Sequence, residues 1–363
     1  MRLLFINPGE GRHGSTYRAR ALSRLLRDCG HQVIYVESNS REDGARVIST
    51  KQADTPLGYV LSSLDRSMLC LKRDYDILYL QKAWPLTLPS LIIAKLRKKK
   101  VIIDFDDLDS EWQRTPFRRR IMRFTEKWMP HWADAVTTHN PYLQQFIQES
   151  TGTTAHIIPQ GVDSSVFDPL RYDRSAERRR LGLDDRVVLC FLGSFTVGSS
   201  RDLSFILQAL RLVQERHNRV TFLIIGGEGP LEDEYLQLIR TLGLEDVRIT
   251  GRVPQNEVPR YLAACDAGLI FMDENRANRM RMSFKLIEYL SMELPVVGYV
   301  TGSSRDIFGE YCFLCPPSVE GLADEMLRVL KGCLKKDSAR SLIVRSFDWK
   351  AVGNTMRELL GSE

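Results

Sequence analysis

With 363 residues, 43% of them hydrophobic, the chain is too long for one ordinary core and suits two domains of roughly 150–200 residues each. Charged residues make up 27% without any low-complexity segment, which excludes extended disorder away from the ends, and no run approaches the ~20 apolar residues needed to cross a bilayer. The formal charge of +5 is spread along the sequence, so it points to no nucleic-acid partner and suits an acidic ligand or an anionic membrane surface.

The opening segment, MRLLFINPGEG, has only four apolar residues between Arg2 and Asn7 and reads as a core strand, not a signal peptide. Gly9, Gly11 and Gly14 then spell G-x-G-x-x-G, and Glu37 closes the second strand where a ribose-binding acid would stand. Alone, these residues suggest an NAD-dependent oxidoreductase. Pro8 breaks the usual run of strand into first glycine, and such turns serve any ligand whose phosphates approach a helix N-terminus.

Short β-branched runs alternate with helical periods from there on. Strands are expected from Leu3, Gln32, Asp76, Val101, Asp134 and His156, with helices such as Ser15–Cys29 and Phe117–His131 between them. Strand VIIDF leads into DFDDLDSEW, where Asp104 and Asp106 would share a face and Asp107 and Asp109 follow. Acids crowded at a strand's carboxyl end bind substrate hydroxyls or a metal, with magnesium the rival here, or shift one another's pKa. His13 and His139 lie in loops aimed the same way; each suits a polar contact or a proton relay.

Phe117, Ile121, Phe124, Trp128 and Trp132 recur at helical spacing, with Arg118, Arg119, Arg120, Arg123 and Lys127 filling much of the rest. Such a stripe is expected to pack into the core; the alternative is an interfacial helix against anionic lipid, helped by Lys98–Lys100.

The polar stretch Asp163–Asp185 divides the chain. Beyond it the scheme repeats, with strands from Val187, Val220, Val247, Ala267 and Pro295. The expected fold is therefore α/β, two Rossmann-like domains facing each other across a cleft, with ligands outside the carboxyl ends of the strands. The seven cysteines lack regular spacing, as in reduced cytoplasmic proteins; Cys312 and Cys315, in the apolar run YCFLCPP, read as a buried strand and not as a redox or zinc pair.

The loop and helix start DENRANRMRMSFKLIEY, from Asp273 to Tyr289, carry the strongest site signal. Ser283 is placed as a helix N-cap, and Arg276, Arg279, Arg281 and Lys285 crowd a helix start, where like charges are unfavourable unless an anion neutralises them. A diphosphate would do so. Glu288, three residues beyond Lys285, can accept hydrogen bonds from ribose or sugar hydroxyls.

These segments resemble the family-four GT-B glycosyltransferases. The resemblance lies in FLGSF at Phe191, LIIGGEGP at Leu223, ITGRVPQNEVPRYLAACDAGLIFM at Ile249, FKLIEYLSMELPVVGY at Phe284, IIPQGVDSSVF at Ile157 and FDW at Phe347. It covers nearly the whole chain and implies a retaining, metal-independent transferase that takes a nucleotide-diphosphate sugar as co-substrate and needs no other cofactor. It implies a glycan, lipid-linked or small-molecule acceptor, with an acceptor-side domain over 1–165, a donor domain over 166–340 and a helix over 341–363 crossing back.

By the same resemblance, Glu288 would hold the donor ribose and the backbone at Arg252 and Val253 the nucleobase. Gly193, Ser194 and Arg201 would approach the diphosphate, with Gly14 and Ser15 also against the donor. Asp106 and Asp107 occupy the places of the family's catalytic-site histidine and following aspartate, with His13 as a further candidate. Two positions depart from the pattern: Met280 replaces the first glutamate of the paired acidic motif, and serines replace the basic residues after Gly193. Lys285 and its neighbouring arginines, in a K-x-x-E-Y arrangement, would take over the phosphate. The rivals are the NAD enzyme above, a GT-B nucleotide-sugar epimerase and a non-catalytic GT-B binding protein.

Overall fold

The computed structural model describes residues 1–10, 14–38, 47–50, 55–113, 115–217, 219–332 and 336–361. The chain divides into two compact units, one made of Met1–Gly161, Met280–Met282 and Trp349–Glu363, the other of Val162–Arg279 and Ser283–Asp348.

The first unit runs β1 (Arg2–Glu10), α1 (Gly14–Asp28), β2 (Gln32–Ser38), β3 (Val47–Thr50), α2 (Pro56–Lys72), β4 (Ile77–Gln81), α3 (Leu88–Leu96), β5 (Lys100–Phe105), α4 (Pro116–Trp128), β6 (Ala135–Thr138), α5 (Pro141–Thr151) and β7 (Ala155–Ile157). Its strands form one parallel sheet in the order β3-β2-β1-β4-β5-β6-β7. The order reverses between β1 and β4, and in open sheets of this kind ligands bind outside the strand ends at that point. Apolar runs such as Ile77–Leu80 are buried throughout, as a sheet covered on both faces requires.

The second unit repeats the design: α6 (Arg174–Leu181), β8 (Val187–Gly193), α7 (Val197–Gln214), β9 (Val220–Gly226), α8 (Glu232–Thr241), β10 (Val247–Ile249), α9 (Val258–Ala263), β11 (Ala267–Phe271), α10 (Arg276–Met280), α11 (Phe284–Ser291), β12 (Val296–Tyr299), α12 (Gly302–Phe308), β13 (Cys312–Leu314), α13 (Val319–Leu330) and α14 (Arg340–Leu342). Its parallel sheet has the order β10-β9-β8-β11-β12-β13, reversing between β8 and β11. The helix α15 (Trp349–Leu360) groups with the first unit and packs on α1. The expected α/β pair of Rossmann-like domains is thus present. Cys312 and Cys315 are buried free thiols at β13.

Three local expectations are corrected. Strand β3 has no counterpart in the sequence reading; its four residues pair only with β2 at the sheet edge. Strand β1 continues past Pro8 to Glu10 through a register irregularity, so Gly9 belongs to the strand end and donates its N–H to Asn7 Oδ1 at 2.9 Å. Gly11 lies outside the described residues.

The third correction concerns α4. Phe117, Ile121, Phe124, Trp128 and Trp132 do not enter the core; they are 73, 37, 54, 51 and 51% exposed. The inward face carries Met122, Thr125 and Glu126 instead. Glu126 Oε1 accepts the Ser110 N–H at 2.8 Å, which satisfies the carboxyl under the helix and leaves the aromatic stripe outward.

A buried ion pair ties the first unit together. Arg18, on α1, is fully buried and donates from Nε and Nη2 to both carboxylate oxygens of Asp104 at 2.9 Å. Its remaining donors reach the carbonyls of Ile158 at 2.9 Å and Pro159 at 3.0 Å, and Gln160 Oε1 at 3.2 Å. Asp104 also accepts from Thr137 Oγ1 at 2.6 Å. The Arg18–Asp104 pair therefore joins α1, β5, β6 and the chain leaving β7. Removing one partner of such a pair strands the other charge in low dielectric. Arg18→Ala is expected to cost the first unit about 3–5 kcal/mol, read as a shift of its urea unfolding transition; a loss below about 1 kcal/mol would contradict this role.

Candidate functional site

In the first unit the chemistry gathers at the ends of β4 and β5, next to the switch point between β1 and β4. Gln81, the last residue of β4, donates from Nε2 to the Ser15 carbonyl at 2.7 Å and to Asp106 Oδ2 at 3.2 Å. Lys82 follows with φ of 69°, a left-handed backbone that β-carbon residues adopt at a cost of order 1–3 kcal/mol. That turn buries its ammonium 2.8 Å from Asp106 Oδ1 and 2.9 Å from Asp109 Oδ1. Burial pulls the Lys82 pKa down, but Asp106 and Asp109 outweigh it and hold the ammonium above the ordinary lysine value. The same burial pushes the Asp109 carboxyl up to about 6 and raises Asp107 as well, each partly offset by Lys82.

His139 sits beneath this group as a neutral strut. Its Nε2 lies 2.7 Å from the Asp106 carbonyl, and the Asn140 amide nitrogen, a donor because its oxygen accepts the Leu143 N–H, lies 2.8 Å from Nδ1. Those partners place the ring proton on Nε2. Burial, and then Arg18, depress the imidazole pKa to about 4, so His139 carries no charge near neutrality.

Arg281, grouped with this unit, holds its guanidinium over the Trp112 ring at 5.6 Å and lowers the Asp107 pKa electrostatically. Asn140 also donates to the Met280 carbonyl at 2.6 Å. Gly14 opens α1 beside Ser15, whereas His13 lies outside the described residues. Asp104, read from sequence as a partner of Asp106, is fully taken by Arg18. Among the described residues no group of three or more His, Cys, Asp or Glu side chains is arranged to hold a metal ion.

In the second unit two glycine turns interlock at the ends of β8 and β9. Gly227 donates its N–H to the Gly193 carbonyl at 2.9 Å, and Phe195 to the Glu228 carbonyl at 3.0 Å. Gly226 has φ of 110°, and a Cβ there would lie 2.3 Å from the Gly193 oxygen, so no other residue permits this approach. Ser194 lies between these turns; Arg201 falls in α7, but its side chain is outside the described residues. The Arg252 N–H, just beyond β10 and next to Val253, donates to Glu228 Oε1 at 3.0 Å.

Lys285 and Glu288 share the first turns of α11. Lys285 Nζ stands 3.9 Å above the Phe191 ring of β8 and 3.9 Å from buried Asp202 Oδ2. Glu288 is buried and accepts a short hydrogen bond from the Gln255 amide; burial pushes its carboxyl up to about 7, with Gln255 and Lys285 opposing. Ser283 occupies the N-cap position without a side-chain cap bond.

The four cations that the sequence groups are dispersed. Arg276 is exposed at the start of α10, and Arg279 lies 3.6 Å from Glu274. Lys285 is nearly buried, and Arg281 belongs to the other unit. Glu37, the ribose acid of the dinucleotide reading, is buried and receives both Nε and Nη2 of Arg20 at 3.1 and 2.5 Å, so its charge is already neutralised.

Sequence reasoning missed Lys82, Gln81, Gln255 and Asp202. Lys82 and Gln81 follow the strand DILYLQ directly, so their position was visible; the left-handed turn that buries the lysine was not. Lys82→Met removes the only cation paired with Asp106 and Asp109 among the described residues and raises the folded-state pKa of Asp109 further. A raised carboxyl pKa gives stability present below the unfolded value and lost as pH rises through the folded one. The variant is therefore expected to lose about 3–5 kcal/mol at pH 7, with the deficit shrinking toward about pH 4 in urea titrations. A pH-independent deficit would contradict the pairing.

Residues 13–166 match the family model described as Glycosyltransferase Family 4, and residues 186–332 match Glycosyl transferases group 1. A Bacillus subtilis protein named as a teichuronic acid biosynthesis glycosyltransferase, TuaH, is 25% identical over 68% of this chain and 61% of its own length. A GDP-mannose-dependent alpha-(1-6)-phosphatidylinositol monomannoside mannosyltransferase of Mycolicibacterium smegmatis is 25% identical over 54% of this chain and 50% of its own. The chain thus spans about half to three fifths of these curated relatives. In fold it is similar to Anabaena HepE in complex with UDP-glucose, with a TM-score of 0.77 at 18% identity over 100% of both chains. Thermosynechococcus elongatus sucrose-phosphate synthase gives 0.79 at 15% identity over 99% of this chain and 98% of that one. One family domain on each unit, and GT-B folds matched over the whole length, carry one conclusion: this chain belongs to the GT-B glycosyltransferases.

Proposed function

We propose that the chain is a retaining glycosyltransferase that moves a sugar from a nucleotide-diphosphate donor to a hydroxyl of a glycan or lipid-linked acceptor. The observation that carries the reading is the placement of Lys285, over the Phe191 ring of β8, and of Glu288 one turn later on α11, beside the glycine turns at the ends of β8 and β9. The ammonium supplies charge for a leaving phosphate, and the carboxyl accepts from two ribose hydroxyls. The turn that follows Gly193 and the backbone at Arg252 and Val253 complete the donor side. Asp106 and Asp107 orient the acceptor hydroxyl, with Lys82 holding Asp106 in place. As the bond from the anomeric carbon to the phosphate oxygen breaks, positive charge builds on the sugar; the acceptor hydroxyl attacks from the face the phosphate leaves and gives its proton to the departing phosphate. In this scheme the Lys285 ammonium takes the place of a metal at the leaving group.

The relatives' printed names support the donor and acceptor classes: HepE is described with UDP-glucose, and the curated relatives are named for teichuronic acid biosynthesis and for GDP-mannose transfer to a phosphatidylinositol mannoside. The NAD reading has no such support, since Gly9 lies in a strand and Glu37 is paired with Arg20.

Two results are expected. Lys285→Ala lowers turnover of the preferred nucleotide sugar by about 10²–10³ while the fold is retained, in a radiolabelled donor assay against UDP- and GDP-sugars. Unchanged turnover would remove Lys285 from the phosphate. Because the Glu288 carboxyl titrates near about 7 and the ionised form accepts more strongly, nucleotide-sugar affinity rises from pH 6 to pH 8 in calorimetry and is flat in Glu288→Gln.

A further inference from the structure

We propose that α2, α3 and α4 of the first unit form a docking surface for an anionic phospholipid membrane. The inference uses neither the donor nor the acceptor site and does not rest on the transferase reading. Twelve of the fifteen exposed large hydrophobic side chains among the described residues lie on these helices and the turn after α4, a concentration that ordinary surface scatter does not produce.

Two of the helices are inside out. On α2 the exposed positions are Leu57, Val60, Leu64, Met68 and Leu71, each 43–68% exposed and spaced as one helical stripe, while the buried positions are Ser62, Arg66, Ser67 and Cys70. Arg66 points inside, donating from Nη1 to the Ser62 carbonyl at 2.9 Å and from Nη2 to Ser38 Oγ at 2.8 Å. On α4 the aromatic stripe faces outward over buried Thr125 and Glu126. A helix made for water carries the reverse pattern.

The neighbours are contiguous. Helix α2 packs on α3, and α2, α3 and α4 all pack on the turn Pro85–Thr87; α3 adds Ile92 and Leu96, 40 and 78% exposed. Among the described residues no helix is long and apolar enough to cross a membrane, and the surface suits a peripheral contact.

Charge selects the occupant. Arg118, Arg120 and Lys127 are exposed on α4, whose one acid, Glu126, is buried under the helix, and exposed Arg123 is paired with Glu111 at 2.9 Å. Basic residues beside outward tryptophan and phenylalanine match the headgroup region of an anionic bilayer, where cations meet lipid phosphate and rings enter the acyl boundary. A second copy of the chain meets the patch less well, because a two-fold contact brings this same positive set against itself.

The test is flotation of the full chain with phosphatidylcholine vesicles and with vesicles that also contain phosphatidylglycerol. Binding is expected only to the anionic vesicles and to weaken with salt. Lys127→Gln should lower the partition coefficient about fivefold, and the double variant Phe124→Ser, Trp128→Ser should lower it about tenfold or more. Leu170→Ser, at a side chain 92% exposed on the other unit, should change nothing. Circular dichroism confirms that each variant folds. The proposal is overturned by absent flotation, by equal binding of the double variant, or by a concentration-dependent dimer that the double variant abolishes. An acidic protein captured without vesicle binding would also overturn it.

Discussion

The Arg18–Asp104 pair is the constraint on which the first unit's site depends. A guanidinium and a carboxylate with no solvent access are expensive to bury, and the pair persists only because each remaining donor finds a carbonyl or amide oxygen. That arrangement fixes the end of β5. Two residues later Asp106 follows the alternation of the strand and the turn beyond it, and meets Lys82 from β4. The same ion pair that holds the sheet edge-to-helix geometry therefore decides which aspartate stays available for chemistry.

The second unit reaches its site by backbone approach. Gly226 and Gly227 let the turns after β8 and β9 touch through main-chain atoms, where side chains would keep them apart. Against this floor stands α11, pinned by Tyr289, whose hydroxyl accepts the Leu192 N–H at 2.7 Å. Its Lys285 and Glu288 are held by Phe191, Asp202 and Gln255, so both are oriented before any ligand arrives. Preorganised charge of this kind costs no reorganisation during reaction.

Much of this was legible from residue order. Apolar runs separated by helical periods specified two parallel sheets, because only strands covered on both faces are apolar throughout. The family stretches around Phe191, Ile249 and Phe284 pointed to Lys285 and Glu288. What was not legible depended on three-dimensional pairing. Periodicity shows that Phe117, Phe124 and Trp128 share a helix face, but not which way that face turns; Glu126, satisfied by the Ser110 N–H, settles it. Four cations close in sequence were expected to act together, yet the short helix α10 and the grouping of Met280–Met282 with the first unit send them to different partners. Lys82 was hidden because a left-handed lysine has no sequence signature.

The central claim is that α11 and the glycine turns of the second unit receive a nucleotide diphosphate. A crystal structure of the chain grown with its preferred nucleoside diphosphate tests this most directly. The account predicts phosphate oxygens within hydrogen-bond reach of Lys285 Nζ and the N–H groups after Gly193, with the ribose hydroxyls on Glu288 in place of Gln255. A nucleotide bound along β1 at Gly9 and Glu37, with α11 unoccupied, would contradict it.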